Sequence, residues 1–324
     1  MARSSGGVGS LRPRLPGPRA RLRTVRADGT PVYRFDGAPG RPSVWVIRFD
    51  GTHVEGRLPA DHRHAHDFHV LVYVEHGGGD VRIDGAVRPL RAGEVVTVPP
   101  GHVIGVGDEQ PHESRAWAVS FVPDAVPTLA GVPPVAWGGH PLLAAFDGVR
   151  SLPVPEPRRG AWLDLLAELH AETADPSRLG ADAAAQALLT RLLVDLARLV
   201  REDAVEGDGA AAGADPLVQR VLAVVEARFA EPVSTASVAR ELGYTAGHLT
   251  TVMRERTGRT VLDWLTERRM SEARRLLAET DLPLAAIAAR TGFRDAAYLT
   301  RRFRTWHGMT PLRWRQGTRA SGRA

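Results

Sequence analysis

The last third of the chain carries the same pattern twice, and an internal repeat at a fixed offset restricts the fold of these 324 residues more than any other feature. "VARELGYTAGHLTTVMRERTGRTVLDW", residues 238–264, lies over "IAARTGFRDAAYLTRRFRTWHGMTPLRW", residues 287–314. Gly243-Tyr244 matches Gly292-Phe293 at an offset of 49. After one extra residue, Leu249-Thr250, Arg254, Gly258, Thr260 and Trp264 match Leu299-Thr300, Arg304, Gly308, Thr310 and Trp314 at an offset of 50. Each copy reads as a short apolar-faced helix, a Gly-aromatic turn and a second helix, the helix-turn-helix pattern. Glycine at the turn permits the left-handed backbone that ends the first helix, and Asp295 can cap the second helix of copy two. Between the copies, "TVLDWLTERRMSEARRLLAET" reads as one helix of about 20 residues, roughly 30 Å long at 1.5 Å per residue. Successive major-groove faces on one side of B-DNA lie about 34 Å apart, so such a helix can set two reading heads into adjacent grooves.

Charge is divided accordingly. Residues 216–324 hold 19 Arg against 10 acids and residues 1–26 hold seven Arg and no acid, which leaves 27–215 at −11 of a total of +5. All 42 basic residues are arginine, suited to bidentate contact with phosphate or guanine, although genome composition explains the missing lysine as well. Absence of cysteine removes disulfides, thiolate metal sites and a thiol nucleophile. No run approaches the roughly 18 apolar residues of a membrane span and no apolar segment follows the N-terminal arginines, so a cytoplasmic location is expected.

Residues from about 217 to 316 closely resemble the DNA-binding domain of AraC/XylS-type transcriptional regulators, with "IAARTGFRDAAYLTRRFRTWHGMTPLRWR" as that family's second-motif signature. The resemblance implies that the second helix of each motif enters the major groove. It carries that role onto Thr245, Gly247, His248, Thr250, Thr251 and Arg254 in copy one, and onto Arg294, Ala297, Tyr298, Thr300, Arg301 and Arg304 in copy two. Arg301 is the expected base reader, because Arg pairs bidentately with guanine, while Arg254 and Arg304 one turn on are expected on phosphates. Gly247, Thr250 and Thr251 make the first head bare, so specificity is expected to lean on the second. Ile287, Leu299 and Phe303 are core positions by spacing.

From about 31 to 123 the pattern changes to short β-rich runs separated by Gly, Asp and Pro, among them "SVWVIRF", "HVLVYVE", "EVVTVPP" and "AWAVSFV". These suggest an antiparallel sandwich or barrel, with hairpin turns at Asp84-Gly85 and Ala92-Gly93. "GAWLDLLAELHAET" and "ADAAAQALLTRLLVDLARLVRE" then repeat apolar residues at helical spacing, for instance Leu188, Leu192, Leu196 and Leu199, and predict a helical hairpin.

"HRHAHDFH", residues 62–69, concentrates His62, His64, His66 and His69. The stretches "HAHDFHVLVYVEHGGGDVRIDG" and "LRAGEVVTVPPGH" resemble the cupin-like sensor domain found at the N-terminus of many such regulators. His64 and His66 fit the His-x-His pair of metal-binding cupins, on one face of a strand. Val70 and Leu71 stand where that motif has Glu, and Ile104 where its second motif has His, with His102 two residues early. Iron or manganese needs three or four convergent ligands, usually with a carboxylate. His64 and His66 are therefore the metal ligands if a metal is bound at all, with His69, His102 and His112 as further possibilities. The alternatives are an organic effector pocket or plain barrel-mouth histidines. The candidate effector-binding set is His64, His66, His69, Tyr73, Arg82, His102 and Trp117, with Trp45 as a further pocket residue.

The expected fold is α+β multidomain. It comprises a basic disordered tail at 1–26, a cupin-like β-barrel sensing an effector at 27–155 and a helical hairpin at 156–202 that can form a dimer interface. A linker follows at 203–215, an all-α domain with two helix-turn-helix motifs joined by a long linker helix at 216–316, and a disordered tail at 317–324. No catalytic residue and no cofactor are expected. The partners expected are double-stranded operator DNA, a small-molecule effector, a second copy in a homodimer, and RNA polymerase if the protein activates transcription. The alternative is a cupin metalloenzyme, a dioxygenase or isomerase, fused to a DNA-binding module.

Overall fold

A computed structural model describes residues 20–321 apart from 27, 39–40, 51–61, 107–113, 131, 133–136, 138–139, 207–214 and 258. Its N-terminal half consists of two facing sheets. The first runs β1 (Ala20–Val25), β2 (Pro31–Phe35), β4 (Arg63–His66), β9 (Val103–Val106), β6 (Gly78–Ile83), β7 (Ala86–Arg91) in spatial order. The second runs β11 (Arg150–Pro153), β8 (Glu94–Val98), β5 (His69–His76), β10 (Arg115–Phe121), β3 (Val44–Asp50). Between them lies a core of Tyr33, Trp45, Phe68, Val70, Ile83, Val96 and Val98. The second sheet is covered on its other face too, by α1 (Glu156–Ala174) and α2 (Ala181–Glu206). That double burial explains why β3, β5 and β10 read as continuous apolar runs rather than alternating ones.

The Asp84-Gly85 turn forms as the sequence predicts, both residues having positive φ (53° and 84°), as a two-residue hairpin between β6 and β7 requires. The Ala92-Gly93 turn does not close a hairpin. β7 pairs with β6 in the first sheet and β8 with β5 and β11 in the second, so this turn carries the chain from one sheet to the other.

The leucine stripe of α2 is consumed within its own domain. Leu189, Leu192, Leu193, Leu196 and Leu199 are buried against the second sheet together with Trp162, Leu166 and Leu169 of α1. A homodimer through this hairpin therefore has to use its outward face, not the stripe that suggested it. Trp162 packs on Tyr73 at 5.7 Å between ring centres. Trp162→Ala is expected to cost about 3–5 kcal/mol, read as a lower denaturant midpoint for the sensor domain.

The C-terminal half is helical: α3 (Pro216–Arg228), α4 (Thr235–Leu242), α5 (Ala246–Thr257), α6 (Val261–Glu279), α7 (Leu284–Arg290), α8 (Ala296–His307) and α9 (Pro311–Ser321). The long helix α6 belongs to two cores. Its Val261 and Leu265 pack with Val238, Leu249 and Met253, while its Met270, Ala273, Leu276 and Leu277 pack with Ile287, Leu299 and Phe303. The two heads are held together a second time, since Arg269 of α6 donates to the carbonyls of Phe229 and Glu231 (both 2.6 Å) just beyond α3.

Three expected boundaries move. Residues 20–25 are a strand paired with β2 rather than part of a tail, because Arg23 and its neighbours find partners in both domains. α2 continues to Glu206 and α9 to Ser321, into the expected linker and C-terminal tail. The remaining tail positions 1–19 and 322–324, linker positions 207–214, and His112 and Gly258 lie outside the described residues.

Candidate nucleic-acid interface and sensor pocket

Each head is built by local rules. α4 starts at a reciprocal cap between Ser234 and Ser237 and ends at Gly243 in the left-handed region (φ 81°). Thr245 then accepts from the backbone of His248, starting α5, and Asp295 accepts from the backbone of Tyr298, starting α8. Leu249 with Met253, and Leu299 with Phe303, turn one side of α5 and α8 into their cores. The opposite side is exposed at Gly247, Thr251 and Arg254 in α5 and at Ala297, Arg301 and Arg304 in α8, the same three places at an offset of 50. His248 and Tyr298 flank these stripes, exposed at equivalent positions.

The other expected DNA-contact residues are more constrained. Half-buried Thr250 and Thr300 each donate their hydroxyl to the carbonyl one turn back, Ala246 and Ala296, both at 2.8 Å. The Thr245 hydroxyl is occupied as a cap, and Arg294 pairs with Asp295 at 2.8 Å. His248 stacks on Tyr244, at 5.3 Å between ring centres, whereas Tyr298 lies between the guanidinium groups of Arg294 and Arg301, each 5.8 Å away.

The effector set separates into four environments. His64 and His66 face the barrel interior beside Tyr33 and Phe68, as alternate residues of β4 must. His69 and His102 border the space between the two halves of the molecule, His69 stacked on Phe121 at 5.2 Å. Tyr73 and Trp117 do not line the barrel with the histidines. They project from the opposite face of the second sheet, Tyr73 against Trp162 and Trp117 beside His170 with its indole N–H on Glu75. Arg82, between inward-facing Val81 and Ile83, takes the outer face of the first sheet.

Sequence reasoning missed Tyr33, whose signal was the short run "PVYRF". Its hydroxyl is buried without a partner in the barrel core, as are Trp45 Nε1 and His66 Nε2. His66 donates Nδ1–H to the Phe68 carbonyl (2.9 Å), which fixes its tautomer and leaves Nε2 a bare acceptor. Burial, with help from neighbouring histidines, pushes His64 down to about 3, and burial pushes His66 down to about 4 against the opposing effect of its hydrogen bond to the Phe68 carbonyl. Burial and then Arg259 push His69 down to about 3. These rings are neutral at physiological pH. Among the described residues no three His, Cys, Asp or Glu side chains converge as a metal site.

The sensor half docks on the helical half through polar contacts. Arg23 bridges Asp67 and Asp263, both at 2.9 Å, and lies 4.4 Å over Trp306. Arg259 donates to the Asp67 carbonyl, Arg274 meets Asp124 at 3.4 Å, and Arg34 donates to the Thr305 and Trp306 carbonyls at the end of α8. Arg259, Asp263 and Glu267 form the copy-one side of this junction, and copy two has Met309, Arg313 and Gly317 at those offsets. The two copies thus differ at these three positions, while the sensor meets copy two elsewhere, at the end of α8.

Paired reading helices joined to a β-barrel with polar atoms in its interior define a class, the DNA-binding transcriptional regulator with a ligand-binding domain. Residues 49–193 match the AraC-like ligand binding domain family, and residues 238–317 match a helix-turn-helix domain family. The HTH-type transcriptional activator RhaS of Salmonella paratyphi B is 30% identical over 277 residues, covering 82% of this chain and 91% of that protein. RhaS of Citrobacter koseri is 29% identical over 275 residues with the same coverage. Among solved structures, a transcriptional regulator with an AraC-type DNA-binding domain from Chromobacterium violaceum is similar at 25% identity. It covers 33% of this chain and 96% of its own, with a TM-score of 0.31. The chain belongs to the AraC/XylS family of transcriptional regulators. No helix among the described residues is long and apolar enough to cross a membrane.

Proposed function

We propose that the protein reads an operator through the stripes Gly247, Thr251, Arg254 and Ala297, Arg301, Arg304, with Arg301 on a base edge and Arg254 and Arg304 on phosphates. The observation that carries this is the recurrence of the exposed stripe at one offset in two heads fixed on α6. Since Thr251 and Gly247 are short, the second head supplies most of the base choice. The barrel interior holds a small polar effector that donates to His66 Nε2 and accepts from Trp45 Nε1, with Tyr33 Oη as a third contact; these buried unpartnered atoms support the assignment. A regulator fits these sites better than a metalloenzyme: His62 lies 3.1 Å from His64, yet no group of three His, Cys, Asp or Glu among the described residues is arranged to hold a metal ion.

Selection of bound DNA from a randomised pool tests the reading roles. Arg301→Ala is expected to relax one operator position and cost about 1–3 kcal/mol, whereas Arg304→Ala weakens all sequences alike and lowers the salt dependence. Identical sequence preferences for the two variants would refute the assignment.

A further inference from the structure

The two copies of the repeat differ in length by one residue, and the helix caps show where it lies. Thr245 and Asp295 start α5 and α8 at equivalent places, 50 apart, whereas the turn aromatics Tyr244 and Phe293 are 49 apart. The extra residue is therefore Arg294, set between the turn and the cap of copy two.

Its presence goes with a different use of the aromatic ring in the first turn of the reading helix. In copy one His248 stacks on Tyr244, with 5.3 Å between ring centres and 19° between planes. In copy two Phe293 is drawn into the core, and Tyr298 is tilted against it by 56° at 6.1 Å. What Tyr298 meets instead is charge, since the guanidinium groups of Arg294 and Arg301 each lie 5.8 Å from its ring centre. Copy one has Thr251 in the place of Arg301 and so has no cation there to hold.

Local geometry produces this contact. Tyr298 and Arg301 are three residues apart on α8, and helical side chains lean back toward the N-terminus, which lays the arginine over the ring. The carboxylate at that end of the helix is already engaged. One Asp295 oxygen accepts from the Tyr298 backbone N–H at 2.6 Å and the other from Arg294 Nε at 2.8 Å, so Arg294 and not Arg301 takes the acid. An exposed arginine has much rotamer freedom to lose on reaching a base edge, and an aromatic face that attracts its cation limits that freedom beforehand.

We infer that Tyr298 is a positioning residue, its ring holding the Arg301 guanidinium in the pose that meets a base edge while the Arg294–Asp295 pair braces the ring from the cap. This rests on the base-reading role proposed above for Arg301. The ring acts through the arginine and reads no base of its own.

The test uses the full chain and the duplex it selects from a randomised pool. Arg301→Ala first locates the base pair that Arg301 reads. Preference at that pair is the Kd for a duplex with the pair changed, divided by the Kd for the selected duplex. Tyr298→Leu keeps an exposed helix position filled without an aromatic face, and Tyr298→Phe keeps the face without the hydroxyl. Tyr298→Leu is expected to lower the preference at the Arg301 pair about two- to fivefold, the size that a cation–π contact at an exposed site supports. Preferences at all other pairs stay unchanged, Tyr298→Phe behaves as the natural chain does, and Tyr298→Leu adds nothing in the Arg301→Ala background. An unchanged preference with Tyr298→Leu overturns the proposal, as does an equal loss with Tyr298→Phe, which would put the hydroxyl on the DNA. A loss spread over all pairs, or one that persists without Arg301, overturns it too. If Arg301→Ala relaxes no pair, the reading role of Arg301 fails and this proposal with it; if it relaxes one and Tyr298→Leu does not, the proposal alone falls.

Discussion

Gly292→Ala is expected to destabilise the DNA-binding domain by about 2–5 kcal/mol, and Gly243→Ala, the same change in the other copy, by about 1–2 kcal/mol. Both glycines end the first helix of a head with positive φ, 71° and 81°. A methyl group at Gly243 meets nothing within 4 Å, so only the left-handed backbone is penalised. At Gly292 it would lie 2.7 Å from the Phe229 carbonyl oxygen and 2.8 Å from that of Ala230. Those atoms are backbone just beyond α3, one of them already held by Arg269, and they cannot rotate away. Relief requires the second head to move against α3 and α6, which changes the spacing of the two reading helices. Operator affinity is therefore expected to fall steeply for Gly292→Ala and modestly for Gly243→Ala. Denaturant unfolding and operator binding of both variants provide the check. Equal losses at the two positions would remove the packing contact as the cause.

Lowering the pH from 7.5 to 5.5 is expected to destabilise the sensor domain by about 1.4 kcal/mol for each of His64, His66 and His69, about 4 kcal/mol in all. The folded values lie near 3 to 4 and the ordinary value is 6.5. Below 6.5 the unfolded chain takes up protons that the folded chain does not, so stability falls with pH through that window. The decline stops only near pH 3 to 4, where the buried rings accept protons as well. His307, at the domain junction and also held down by burial, acts in the same direction. Urea unfolding across this range gives the slope, and His69→Gln should reduce it by about one proton. A midpoint that does not change between pH 7.5 and 5.5 would show that these rings are not held neutral by burial.

Much of the reading half was visible in the chain itself. The repeat at its offset of 50, and within each copy the turn glycines, the Asp295 cap and the buried Leu299 and Phe303, follow from spacings along the chain, and the structure shows each of them. Some contacts assigned by family resemblance are more constrained than spacing suggests. Thr250 and Thr300 occupy the right turns, yet their hydroxyls bond their own helices. The sensor half was legible as β-strands but not in how they face. His69, Tyr73 and Trp117 belong to strands buried on both sides, where alternation separates two faces without saying which is the barrel interior.

The amino-acid order by itself determined the two heads, because capping, turn formation and helix amphipathicity act between residues close along the chain. Tertiary structure alone decided the rest. It buried the leucine stripe of α2 inside its own domain, turned Ala92-Gly93 into a crossing between sheets, and brought Arg23 to Asp263 across 240 positions. Those outcomes depend on which surfaces meet, and surfaces meet through apolar burial and charge pairing between segments whose separation in sequence carries no periodic signal.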